Sequence, residues 1–242
     1  MNIAQMHYEF KDRLNKVDST AYSNFIPQQV DVYLNAAQDV FIHRLAEPIK
    51  NKFVYGIERN QRIIDELSTL VVDQEVNNSC IATTPFSSEV YTVPLPEDYM
   101  FYMGAFVLAT KQPCEGQRIR VYVQQHDDVF RDVDLIESSF EWRIVNGEFN
   151  EHGMLLFSDG TFSIDRMCYS YLRRPAYMSY PTAVGGSYTL PDGVTVINTV
   201  QDCELPVTAH SEIVDLAVLL AKGSIETPGM QYSQYKVSLS SN

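Results

Sequence analysis

Five histidines, four cysteines and 31 acidic side chains are the groups of this 242-residue chain that could carry chemistry. His7, His43, His126, His152 and His210 are scattered. No HExxH or HxH pair occurs, so no two imidazoles stand at the spacing of a metal site on one helix or strand. The nearest clusters are His126-Asp127-Asp128 and Glu151-His152. Sequence neighbours point to opposite faces of a strand, and both clusters lie beside turn-forming residues, so both read as surface polar groups. Cys80, Cys114, Cys168 and Cys203 are far apart with no CxxC spacing. That pattern reads as free thiols rather than a zinc site or a disulfide framework. Neither phosphate-binding glycine loop, GxxxxGKS/T or GxGxxG, is present, and there is no GxSxG elbow. Carboxylates are numerous enough to place some pair close in space, as glycoside hydrolysis requires, but no spacing selects one. Asn77-Asn78-Ser79 is a formal glycosylation sequon without a secretory signal beside it. No catalytic residue, metal ligand or cofactor is expected.

Charge narrows the classes further. The chain carries 18 basic and 31 acidic side chains, a net −13. Counterion release on a phosphate backbone needs Lys and Arg, so tight sequence-independent nucleic-acid binding is disfavoured, as is docking on an anionic membrane surface. The excess is local. Residues 73–205 hold eight basic and nineteen acidic side chains, a balance of −11, while residues 1–72 and 206–242 are each within one charge of neutrality. No run of eighteen apolar residues exists to cross a bilayer.

The elements that would position any site follow from periodicity. Ile3, Met6, Phe10, Leu14 and Val17 recur at helical spacing. Pro27 suits a first helical turn, and Val30, Leu34, Ala37, Phe41 and Leu45 form a second stripe that stops near Pro48. Ile63, Ile64, Leu67, Leu70 and Val71 predict a third helix over 57–72. The pattern then changes to strands at 89–93, 99–110 and 118–123, with a turn or short helix from Asp127. Residues 154–157 and 161–172 flank Ser158-Asp159-Gly160, which predicts a β-hairpin. Residues 176–204 read as a long arm with short strands. A last helix over 205–225, with Thr208 as its N-cap, carries Ile213, Leu216, Ala217, Leu220 and Ile225 on its apolar face. The fold class is α+β: a helical domain over 1–72, a mostly antiparallel β domain over 73–204, the returning helix, and an extended tail over 226–242.

Two features point to contacts rather than chemistry. Arg173-Arg174-Pro175 is the local basic cluster of the acidic segment. It could meet phosphate or an acidic neighbour, but a strand ending at a solvated edge accounts for it more simply. The chain also has 15 tyrosines. Tyrosine is enriched at protein–protein interfaces, and Tyr232 and Tyr235 lie in a tail without core residues of its own.

Four segments together resemble the neck ring proteins of crAss-like bacteriophages, and more loosely the head-tail adaptor and tubular proteins of other short-tailed phages. They are MNIAQMHYEFKDRLNKVDS, FIPQQVDVYLNAAQDVFI, MLLFSDGTFSIDRMCYSYLRRPAYM and LPVTAHSEIVDLAVLLAKGSIETP with its following tail. The resemblance covers both ends and the middle and is weakest over 74–150 and 178–202. It implies a non-enzymatic virion protein, assembled in the host cytoplasm, that forms a ring between portal and tail. That ring would be commonly twelvefold, passing double-stranded DNA without binding it specifically. By position, 208–225 would pack near the portal protein, 226–242 would dock on the portal or a neighbouring ring or tail protein, and 25–46 would build the helical layer. Arg173, Arg174, Ile225, Met230, Tyr232 and Tyr235 are the candidate interaction residues. Another ring, a stopper or a tail-tube part is the nearest alternative. A carbohydrate-active or lectin-like module is the alternative from another class, disfavoured by the single Trp142.

Overall fold

The computed structural model describes residues 1–17, 25–46, 61–77, 82–84, 87–124, 138–151, 153–181, 187–189 and 195–226. The chain forms two compact units, one of Met1–Leu70 with Pro175–Asn242 and one of Val71–Arg174. The first unit is therefore discontinuous, with the second inserted into it. Together they make an α+β fold.

In the discontinuous unit, α1 spans Ile3–Val17, α2 Pro27–Ala46, α3 Gln61–Leu67 and α4 Val207–Glu226. A reciprocal cap starts α1: Asn2 Oδ1 accepts from the Gln5 amide while Gln5 Oε1 accepts from the Asn2 amide. The Asp202 carboxylate takes a further free donor, the Ile3 amide, at 2.7 Å. Ile3, Met6, Phe10 and Leu14 are buried, as the stripe predicts. Pro27 occupies the first turn of α2, and the Ile26 carbonyl accepts from Gln29 and Val30. α4 packs on both α1 and α2 through Ile213, Val214, Ala217 and Ala221. Each large side chain sealed this way contributes about 1.5–3 kcal/mol relative to exposure.

α2 buries more than its apolar stripe. Asp31 is fully buried, and Asn35 and Gln38 nearly so. These polar groups hold the chain where it re-enters the unit. Asn35 donates to the Met178 carbonyl at 2.8 Å and accepts from the Met178 amide at 2.8 Å, giving an extended segment the pairing a strand would provide. Asp31 Oδ2 accepts from the Tyr180 amide at 3.0 Å and the Tyr188 hydroxyl at 2.5 Å. Asp31 Oδ1 meets His7 Nε2 at 2.6 Å, so that nitrogen carries the proton. One carboxylate thus ties α1, α2, the re-entrant segment and Tyr188, the first residue of a short ribbon (β9, Tyr188–Thr189; β10, Val196–Ile197). Residues 175–181, expected in the β domain, group with the helical unit, where Asn35, Asp31, Glu204 and the Gln201 backbone partner Met178, Tyr180, Ala176 and Ser179.

The inserted unit is a sheet. Among the described residues its strands are β1 Val71–Asn77, β2 Ala82–Thr84, β3 Ser87–Val93, β4 Tyr99–Lys111, β5 Cys114–Val123, β6 Ile144–Asn150, β7 Gly153–Phe157 and β8 Ser163–Arg173. Their order is β1-β8-β4-β5-β6-β7-β3-β2, antiparallel throughout except for the parallel pair β5 and β6. One face forms a single core from Val76, Val107, Ile119, Val145, Leu156, Ile164 and Met167 with their neighbours. Tyr99, Tyr102, Phe149, Tyr169 and Tyr171 extend it as a ring cluster with centroids 5.4–5.9 Å apart. Gly153 is required at the β6–β7 turn: its φ is 135°, and a Cβ there would meet the Val93 carbonyl oxygen at 2.1 Å.

Several expectations need correction. Residues 154–172 are not a hairpin. β7 pairs with β6 and β3, whereas β8 pairs with β4 and β1. A two-residue hairpin turn of the Asp-Gly kind needs positive φ at both positions, and here only Gly160 has it, at 76°. Instead Asp159 Oδ1 accepts from the Thr161 amide and hydroxyl, and Ser158 Oγ accepts from the Gly160 amide and donates to the Phe162 carbonyl. That local net reverses the chain and sends β8 to other partners. The third helix stops at Leu67; a 3-10 turn, Ser68–Leu70, follows, and Val71 already belongs to β1. β-branched Val71 and Val72 favour the strand. Thr208 is not the cap of α4, which begins one residue earlier at Val207, with Pro206 O accepting from the Ala209 amide. Glu212 pairs instead with Arg62 at 2.5 Å and Arg44 at 3.8 Å. The expected turn after Asp127, Pro48 and the tail expected over 226–242, apart from Glu226 at the end of α4, lie outside the described residues.

Removing a buried, fully bonded carboxylate leaves donors unmatched. Asp31→Ala is expected to cost about 3–5 kcal/mol in urea unfolding; a loss within 1 kcal/mol of zero would show that the Asp31 contacts do not hold the unit. Burial pushes Tyr99, Tyr102 and Tyr169 up to about 12. Their folded-state values lie above the unfolded value near 10, so this stability is fully present below pH ~10 and lost as pH rises through about 12. Phenolate absorbance should resolve a late-titrating class as the fold weakens; all tyrosines ionising together near 10 with the fold intact would contradict this.

Candidate interaction surfaces

The sheet of the inserted unit has a second face, built by alternation. Ile119 and Val121 of β5 enter the core, so Arg118, Arg120 and Tyr122 point the other way. By the same rule Gly104 and Phe106 of β4, Cys168 and Ser170 of β8, and Asp73 and Glu75 of β1 share that outer face. Register lines them up. Glu75, Cys168, Phe106 and Arg120 stand opposite one another across four strands, with Asp73, Ser170 and Gly104 in the adjacent row. A Cβ added to Gly104 would meet nothing within 4 Å, so the floor is open there. The result is a groove of about 950 Å³, with carboxylates along one wall and Arg118, Arg120 and Arg143 along the other.

Among the described residues the arginine wall is held by ring and amide partners. The Arg118 guanidinium lies 3.8 Å from the Phe106 ring centroid and that of Arg120 lies 5.2 Å from Tyr122. With the Gln117 amide oxygen turned toward it, Arg143 donates Nε–H and Nη2–H at 2.6 and 3.0 Å. Arg143 itself takes φ 57°, a left-handed conformation that costs a non-glycine residue about 1–3 kcal/mol. Other arginines of the described chain do pair: Arg13 with Glu9 and Asp215, Arg44 with Glu212, Arg62 with Glu66 and Glu212, and Arg166 with Glu75. Beside the turn that carries Arg143, Trp142 is 79% exposed. The alternation of Arg118-Ile119-Arg120-Val121-Tyr122 places two of these cations on one face from sequence alone. The third was hidden, because Arg143 joins them only through the parallel β5–β6 register.

The sequence-derived candidates fall elsewhere. Arg173 ends β8, and its guanidinium donates to the Arg174 carbonyl at 3.2 Å. The Arg174 amide donates to the Asp98 carbonyl at 2.7 Å, and its side chain is exposed. β8 is an interior strand between β1 and β4, not the edge strand that the simpler reading of this pair assumed. Ile225 lies in the last turn of α4. Met230, Tyr232 and Tyr235 lie outside the described residues, as do His126, Asp127, Asp128, His152 and Cys80, while Glu151 is exposed at the β6–β7 turn. Three other tyrosines make intramolecular contacts. Tyr33 donates to or accepts from Ser224 and packs with Phe10 and Phe25. Tyr180 and Tyr188 sit on Asp31, and Tyr177 is half-buried. Cys114, Cys168 and Cys203 are free thiols. Burial raises Cys168 and takes Cys203 up to about 11, which disfavours the nucleophilic thiolate at both. Among the described residues no group of three His, Cys, Asp or Glu side chains could hold a metal ion, and no helix is long and apolar enough to cross a membrane.

The chain is 26% identical over 234 residues to Ring protein 4/5 of Bacteroides phage crAss001, covering 93% of this chain and 94% of that protein. It is also 26% identical over 220 residues to Ring protein 3 of the same phage, covering 88% and 91%. The profile of the phage tail ring protein 3/4 family matches residues 1–231, which spans both units. The chain belongs to the phage tail ring protein 3/4 family.

Proposed function

We propose that this chain is a structural, non-enzymatic virion protein that forms a homo-oligomeric ring in the phage neck, joins the portal to the tail and surrounds the DNA channel. The observation that carries this reading is the family match along residues 1–231. The relatives' names, Ring protein 4/5 and Ring protein 3, favour a place among the stacked rings over a stopper or tail-tube part. A twelvefold ring is the expected symmetry.

The physical features support that role. Duplex DNA must pass such a ring without sticking. Residues 73–205, with a balance of −11, offer phosphates repulsion and little counterion release. The discontinuous helical unit gives a rigid support from which α4 leads into residues 227–242. That last segment carries Tyr232 and Tyr235 with little to build a core of its own. In this reading α4 lies near the portal, and the tail docks on the portal or on a neighbouring ring.

Deletion of 227–242 separates docking from folding. The truncated chain should keep the thermal unfolding of the full chain yet be absent from purified particles, which accumulate without tails. Recovery of complete particles containing the truncated chain would show that the tail does not dock.

A further inference from the structure

We propose that the arginine-walled groove of the inserted unit seats an acidic surface of a second copy of this chain, the next subunit around the ring. This rests on the ring reading above and adds to it the face used and the charge that recognises it.

In a chain of net −13, cations are scarce, and Arg13, Arg44, Arg62 and Arg166 are matched to carboxylates within their own unit. Among the described residues Arg118, Arg120 and Arg143 have ring or amide partners instead. A guanidinium stacked on an aromatic face keeps its planar edge free, and that edge binds carboxylate in the two-point geometry. Arg118 over Phe106 and Arg120 over Tyr122 are preorganised in this way, side by side on one strand. The floor at Gly104 has no side chain, and the space above it is open.

The occupant follows from the facing wall. Asp73 and Glu75 line the other side of the groove. A polyphosphate laid along it would meet these carboxylates as well as the arginines, so a nucleic-acid backbone is disfavoured. A protein surface can turn its carboxylates to the arginines and its amide, hydroxyl or ammonium donors to the acceptor positions that Asp73 and Glu75 keep beside Ser170 and Arg166. Identical subunits of net −13 repel one another unless contact sets cation against anion, and this wall supplies the cations. A groove on one copy that takes a different surface of the next is a heterologous contact, the kind that closes a ring.

The test places the photocrosslinker p-benzoylphenylalanine at Gly104 of the full chain in assembled particles. Irradiation should yield covalent dimers of this chain, with the joined peptide rich in Asp or Glu. Arg118→Gln with Arg120→Gln should lower the dimer yield about tenfold, the effect of roughly 1.4 kcal/mol of lost contact, while thermal unfolding of the isolated chain is unchanged. Particles that hold the chain but crosslink Gly104 to DNA, to another protein or to nothing would overturn the proposal alone. A dimer yield untouched by the arginine changes would also overturn it. Particles that lack the chain would overturn the ring reading and this proposal together.

Discussion

A single buried carboxylate ties together the two chain segments of the helical unit. The helical unit is broken after Leu70 and resumes at Pro175. The resuming segment joins no extended sheet: Ser179 exchanges backbone hydrogen bonds with Gln201, and the backbone groups on either side would be buried without partners, which is costly. Asp31 and Asn35, one turn apart on α2, supply those partners. Burying Asp31 is affordable only because His7, the Tyr180 amide and the Tyr188 hydroxyl satisfy it. The same contacts join α1 to α2 and fix the point from which the chain proceeds through Glu204 and Leu205 into α4. Glu204 repeats the device by accepting from the Ala176 amide at 2.7 Å. His210 completes the return, donating from Nε2 to the Leu205 carbonyl and leaving Nδ1 to accept from the Met1 amino group.

The inserted unit solves a different problem. It buries one sheet face and leaves the other to carry charge in rows. Alternation along each strand separates the two tasks, so a core of valine, isoleucine and tyrosine coexists with arginines and carboxylates two residues apart on the same strands. An assembly subunit needs this division. Its fold must be stable before the partner arrives, and its contact face must stay polar enough to be soluble until then.

Local structure was largely legible in the sequence, and partnership was not. The stripe of Ile3, Met6, Phe10 and Leu14 marked a buried helix face correctly, because helical period and burial are both local. The alternation of residues 118–123 marked β5 for the same reason. Asp159-Gly160 signalled a turn and there is one, but a turn does not choose the strand that pairs across the sheet. β7 and β8 each found two other neighbours, dictated by the sheet as a whole. Asp31 and Asn35 carry no local signal of their roles, since their partners lie about 150 positions away. Four of the six interaction residues chosen from sequence lie at or beyond the end of α4. The arginine groove depends on strand register, which composition cannot supply.

Family membership, the acidic balance of residues 73–205 and the arginine-walled groove support the proposal of a subunit that meets its own copies around a channel. Electron cryomicroscopy of the intact particle tests that most directly. The account predicts density for this chain as a closed ring of identical subunits between portal and tail, with the outer face of the inserted unit covered by the next copy. Density for the chain as an isolated subunit, or at a site away from the neck, would contradict it.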